Sequence, residues 1–171
     1  MKNTTLTRTF SAVKAAHSAR KATAAVALLL GLAINAHGET QPLEVYKDPQ
    51  CGCCEGWMKH AQAQSLPLKL VPSADVFAKK EALGIPPAAR SCHTVVDPQT
   101  GYIFEGHIPA KVIARFIAEK PDAKGLAVSG MPLGSPGMEM GDRFMPYDVL
   151  VLNHDGSTEI YTHIGSAQEQ L

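Results

Sequence analysis

The chain has 171 residues, 16 of them basic and 16 acidic, for a formal net charge of +0. That length suits one domain on the usual figure of about 100–200 residues each. With no basic run beyond the first 36 residues, the electrostatic footprint of a nucleic-acid-binding protein is missing.

Those first 36 residues read differently from the rest. They carry Lys2, Arg8, Lys14, Arg20 and Lys21 but no Asp or Glu. An apolar run follows from Ala22 to Ile34, broken only by Thr23 and Gly31, and it ends at Asn35-Ala36. A basic start, a short apolar middle and a small residue at the end predict a secretory signal peptide over 1–36. The run falls short of the roughly 20 residues that spanning a bilayer needs. Export to the periplasm, with cleavage and no lasting membrane insertion, is therefore expected for a single domain at 37–171. Removing five of the 16 basic residues leaves 11 against 16 acidic ones, a net charge near −5.

In chain order, Leu43-Glu44-Val45-Tyr46-Lys47 alternates apolar and polar residues and predicts a strand. Asp48-Pro49-Gln50 breaks it. A helix is expected from the cysteine cluster to about Gln64, with Trp57, Met58 and Ala61 facing inward. Leu68 to Val71 reads as a second strand. Val76 to Leu83 reads as a helix, stopped by Gly84 and Pro86. Cys92 to Val96 and Tyr102 to His107 flank Asp97-Pro98-Gln99-Thr100-Gly101 as a hairpin. Ala110 to Glu119 forms a helix with Val112, Ile113, Phe116 and Ile117 as its apolar stripe. Residues 121–147, rich in Gly, Pro and Met, are expected to be irregular, and a long irregular segment is usually functional or disordered. Tyr147 to Asn153 and Thr158 to His163 close the chain as a hairpin around Asp155-Gly156.

All four cysteines, Cys51, Cys53, Cys54 and Cys92, follow the expected leader. Export normally makes cysteines read as disulfides. Three within four positions cannot staple distant parts of a fold, so a reactive or metal-binding cluster is the better reading. Cys51 and Cys54 form a C-x-x-C pair between a strand and a helix. The free N–H groups and positive dipole end there stabilise a thiolate. A thiolate both binds soft metals and attacks disulfides. The extra Cys53 argues against a simple oxidoreductase, which needs only an attacking and a resolving thiol. Thiolates and thioethers suit monovalent copper. Positions 53 and 54 diverge by about 100° on a helix, so they are expected to serve different ions of a thiolate-bridged, multinuclear site. Zinc is the rival metal, four cysteines being a familiar closed site, although C-x-C-C is an unusual spacing for it.

Further metal ligands are expected at His93, His107, Met138 and Met140. The two methionines lie in the Gly/Pro segment with few apolar neighbours. Successive strand residues face opposite sides, so Cys92 and His93 share one site only where the chain bends. His60 is expected at the surface, His154 and His163 in solvent.

The stretches Val45 to Trp57, Ser91-Cys92-His93-Thr94, Glu105-Gly106-His107-Ile108-Pro109 and Gly130 to Glu139 resemble the CopG-like family of bacterial periplasmic metal-binding proteins. The resemblance covers nearly all of the chain after the leader. It implies a thioredoxin-like α/β fold, a mixed sheet flanked by helices with a Gly/Pro/Met-rich loop and a C-terminal hairpin. It further implies a cysteine-bridged copper cluster of more than one ion on Cys51, Cys53, Cys54 and Cys92. The implied role is copper tolerance, with interconversion of Cu(I) and Cu(II) and exchange with other periplasmic copper-handling proteins. The alternatives from other classes are a thiol–disulfide oxidoreductase using Cys51 and Cys54, and a structural zinc-binding domain.

Overall fold

Strand β1 (Leu43–Lys47) buries every second residue, Leu43, Val45 and Lys47, as the alternation in its sequence requires. The computed structural model describes residues 41–171. The expected leader at 1–36 lies outside the described residues. Helix α1 (Gly52–Ala63) follows β1 and buries Cys54, Trp57 and Ala61, a spacing that lines one face of a helix. Strand β2 (Leu68–Leu70) then pairs parallel with β1.

Helix α2 (Val76–Ala82) starts at Asp75, whose carboxylate accepts the Ala78 N–H at 2.9 Å. This is ordinary N-capping. Strands β3 (His93–Val96) and β4 (Ile103–Glu105) form the expected hairpin. Both are shorter than the sequence suggested, because Cys92 and His107 lie just outside the ladder. Helix α3 (Ala110–Glu119) buries Val112, Ile113 and Phe116, each contributing about 1.5–3 kcal/mol by transfer from water.

One strand was not expected. β5 (Gly125–Ala127) lies inside the segment read as irregular and pairs parallel with β4. All three of its residues are buried, so no polar alternation marks it. β6 (Tyr147–Leu152) and β7 (Thr158–Ile164) complete the sheet as an antiparallel hairpin.

The sheet order is β2-β1-β3-β4-β5-β6-β7, with β1·β2 and β4·β5 parallel and the other neighbours antiparallel. This is the expected α/β class, a mixed sheet flanked by helices. The core gathers Trp57, Phe104, Ile108, Phe116 and Leu126, all fully buried. Phe104 and Phe116 meet edge to face at 5.9 Å, a favoured aromatic geometry.

Two ties, one long-range and one local, matter for the site. Gln170 accepts the Tyr147 hydroxyl at 2.6 Å and donates to the Gly134 carbonyl at 2.9 Å. The chain end thereby anchors the Gly/Pro/Met loop. Buried Lys47 reaches the carbonyls of Asp48 and Pro49 and the carboxylate of Glu55, fixing the turn that leads into α1. Among the described residues, no helix is long and apolar enough to cross a membrane.

Candidate metal centre

The turn Asp48-Pro49-Gln50 delivers the chain to α1 with Cys51 as its N-cap. The first-turn cysteines therefore sit at the helix end where backbone N–H groups are free. Cys92 reaches the same place from the bend immediately before β3. The four sulfur atoms all lie within 4.8 Å of one another. Cys53 Sγ is 3.3 Å from Cys51 Sγ and 3.7 Å from Cys92 Sγ, and Cys54 Sγ is 3.5 Å from Cys92 Sγ. Cys51 and Cys54 are joined as a disulfide, while Cys53 and Cys92 are free.

This corrects the expectation that Cys53 and Cys54 diverge. The rotation per residue is real, but the two sit in the first turn. Helical side chains lean back toward the N-terminus, and Cys51 and Cys92 approach from outside the helix, so the sulfurs meet above its end.

The second expectation, that Cys92 and His93 part company, met its exception. Cys92 is a bend residue and not yet part of the strand, so the alternation of faces does not separate them. Cys92, His93 and His107 form a second group with ligand atoms within 4.8 Å. Cys92 Sγ lies 2.8 Å from His107 Nε2 and 3.5 Å from His93 Nδ1. Cys92 therefore belongs to both groups.

His107 is held by the loop. Its Nδ1 lies 2.8 Å from the Pro136 carbonyl oxygen. A carbonyl can only accept, so Nδ1 carries the proton and Nε2 keeps its lone pair toward Cys92. Such an outer partner fixes the tautomer that a metal-binding imidazole needs. His93 is fully buried, its ring 4.5 Å from that of Trp57 and 5.0 Å from that of His107. Its Nε2 is the buried side-chain polar atom without a hydrogen-bond partner among the described residues. An orphaned buried donor or acceptor is costly, and a ligand would satisfy it.

Loop residues 134–138 cover this end of α1. A Cβ on Gly137 would lie 2.4 Å from both the Cys53 carbonyl and the Trp57 amide nitrogen, and its φ is +83°. Only glycine allows the loop backbone this close. Met138 follows it and is half-buried. Met140 is 53% exposed, its sulfur 3.7 Å from the Arg143 guanidinium.

His60, expected at the surface, is in neither donor group. It is half-buried, and its Nε2 accepts the Ala110 N–H at 3.3 Å. His154 and His163 are exposed as expected and face Asp122 and Asp148. The sequence reading missed Pro136, whose carbonyl acts through the backbone, and the pair Lys80 and Glu105 behind Cys92. The Gly-Ser-Pro-Gly run was the available signal for the first. A lysine in a short helix signals nothing about the second.

Burial, and then the neighbouring Cys53, push the Cys92 thiol up to about 12. A metal must displace that proton, so binding releases acid. Burial holds His93 well below the usual imidazole range, with the His107 charge next in importance. Burial also lowers His107 and His60. The imidazoles are thus neutral, ligand-ready groups near pH 7.

A pH dependence follows. The three imidazoles titrate near pH 6.5 when unfolded and lower when folded. Unfolded chains therefore bind more protons below pH 6.5. The stability of the metal-free domain is complete above that value and falls as the pH drops below it. Glu105, raised by burial, acts in the opposite sense from about pH 4.5 upward. Urea unfolding at pH 8.0, 6.5 and 5.5 checks this: the midpoint is expected to fall at pH 5.5, and equal midpoints at all three would overturn it.

Sulfur and imidazole donors together suit soft and borderline cations. Two solved structures, described as copper resistance protein CopG in form 1 and form 2, are each 41% identical to this chain. Form 1 superposes with a TM-score of 0.68 over 74% of this chain and 98% of its own. The chain belongs to the CopG family. Form 2 gives a TM-score of 0.64 over 72% of this chain and 99% of its own. The family described as a protein of unknown function, DUF411, matches residues 89–138. That match spans Cys92, His93, His107 and Met138, the part of the site that the C-x-x-C pattern does not announce. No curated protein matches the chain.

Proposed function

We propose that this chain is a periplasmic copper-binding protein of copper resistance, with copper as its cargo. The carrying observation is the convergence of four sulfurs within 4.8 Å, with Cys92 also in reach of His93 and His107. Two donor groups sharing one thiol support a bridged site with more than one copper ion. Cys51, Cys53, Cys54 and Cys92 are its thiolates once an external dithiol, itself oxidised to a disulfide, has reduced the Cys51–Cys54 bond. His93 and His107 supply nitrogen, Met138 supplies a thioether from the covering loop, and Met140, two residues on, supplies a second by turning from Arg143. The two CopG structures, proteins described by their role in copper resistance, support the choice of copper over zinc. The order β2-β1-β3-β4, with β3 antiparallel to both neighbours, supports a thioredoxin-like core. Side-by-side sulfur and nitrogen donors also suit a site that holds both Cu(I) and Cu(II).

One observation favours a second reading. Cys51 and Cys54 form a disulfide, as in a thiol–disulfide oxidoreductase.

Anaerobic purification of the domain from residue 37 onward, followed by copper, zinc and thiol determination per chain, separates the two. At least two coppers per chain with no titratable thiol is the expected result. One tight zinc, or a metal-free protein exchanging its Cys51–Cys54 disulfide with an external dithiol, would sink the copper reading.

A further inference from the structure

Lys80 is the buried side chain of α2. Its ammonium lies 2.6 Å from Glu105 Oε1 and 2.9 Å from Thr94 Oγ1. The Glu105 side chain is 0% exposed and that of Lys80 6%. Glu105 accepts two further hydrogen bonds, from the Ser91 backbone N–H at 2.6 Å and from the Thr94 hydroxyl at 2.6 Å. Stability alone is a poor reason for this pair. Taking two charges out of water is costly, and a well-packed apolar pair in their place is often as stable or more so.

Its position supplies another reason. Ser91 immediately precedes Cys92, and Thr94 immediately follows His93. Glu105 stands two residues before His107. One carboxylate therefore ties together the two segments that carry Cys92, His93 and His107. Gly106 lets them close up: a Cβ there would lie 2.6 Å from Ser91 Cβ and 2.5 Å from the Val128 carbonyl oxygen. The outcome is the 2.8 Å approach of Cys92 Sγ to His107 Nε2.

We infer that Glu105, held in place by Lys80, is a positioning residue that sets Cys92 and His107 on one metal ion through the Ser91 amide. The inference rests on the copper reading above. It assigns the acceptor oxygen, not the charge, the decisive part. Glu105 touches no metal; it fixes the bend from which Cys92 reaches the other sulfurs. Outer partners of this kind are typically worth about 10–100-fold in metal affinity.

The test compares Glu105→Gln, which keeps an oxygen for the Ser91 N–H, with the double variant Lys80→Met and Glu105→Leu, which keeps the volume and removes every acceptor. Cu(I) is the probe, added anaerobically in competition with a chromogenic chelator. Sulfur neighbours per copper are counted by X-ray absorption, and circular dichroism of the metal-free proteins reports folding. Glu105→Gln is expected to keep the wild-type sulfur count. The double variant is expected to lose sulfur as Cys92→Ser does and to bind about 10–100-fold more weakly.

Equal sulfur counts and affinities in the two folded variants overturn the inference. Should the double variant not fold, an amide-to-ester replacement at Ser91 removes the donated N–H, adds no atom toward Glu105 and leaves the buried pair in place. The same loss is expected there, and an unchanged site overturns the inference. A wild-type protein that takes up no Cu(I) overturns the copper reading and this inference with it, a result distinct from a wild type that binds and variants that match it.

Discussion

Cys92→Ser is expected to remove more copper than any other single cysteine substitution. Cys92 Sγ lies 3.7 Å from Cys53 Sγ, 3.5 Å from Cys54 Sγ and 2.8 Å from His107 Nε2. It is the one member common to the four-sulfur group and to the group with two imidazoles. Losing it leaves three sulfurs on one helix turn and two histidines without their thiolate. The fall in Cu(I) affinity should exceed the roughly 10–100-fold that follows from disturbing an outer partner. Copper per chain after gel filtration and a chelator titration measure it. Cys53→Ser makes the contrast: it too should lose copper, yet it leaves Cys51 and Cys54 able to exchange their disulfide. If Cys92→Ser retained full copper, Cys92 would not be the ligand shared by the two groups; a wild type that bound no copper, with Cys51→Ser abolishing dithiol exchange, would replace the copper reading by the oxidoreductase one.

Trp57→Ala carries the largest expected cost to the fold. The ring is fully buried on α1, and its Nε1–H donates to the Ile108 carbonyl at 2.8 Å. Removing a buried aromatic ring costs about 3–5 kcal/mol, because the cavity only partly collapses. The carbonyl it leaves unpaired adds to that. A fall in melting temperature of about 10 °C or more follows for a domain of this size, measured by thermal unfolding of the metal-free protein. The same ring packs against His93 at 4.5 Å. Trp57→Phe, which keeps much of the ring volume but not the donor, should recover most of the loss; if it fell as far as alanine, the hydrogen bond and not the packing would be decisive.

The α/β class and most elements were legible because their cues are local. Val45 and Leu43 alternate with polar residues, and Val112, Ile113 and Phe116 fall on one helical face. β5 was not legible, since three buried residues carry no period. The cysteine cluster announced itself through spacing alone. Its shape did not, because the angle between Cys53 and Cys54 was taken from an ideal helix interior and they lie at a helix end. His93 was separated from Cys92 by strand geometry that begins one residue later. Pro136, Lys80 and Glu105 act through backbone groups or through partners remote in sequence, and no local pattern encodes such contacts.

Cys54 and Cys92 are 38 residues apart in the chain. A polypeptide that emerges with its N-terminus first presents Cys51, Cys53 and Cys54 well before Cys92, and before the β1–β3 ladder that brings Cys92 to them. During that interval it is a three-thiol segment open to oxidants and to any soft cation. Closure of the 38-residue loop, a cost that grows only slowly with length, ends the exposure. The complete donor set is thus a property of the finished fold, and the order of emergence makes the first three thiols the vulnerable part of a newborn chain.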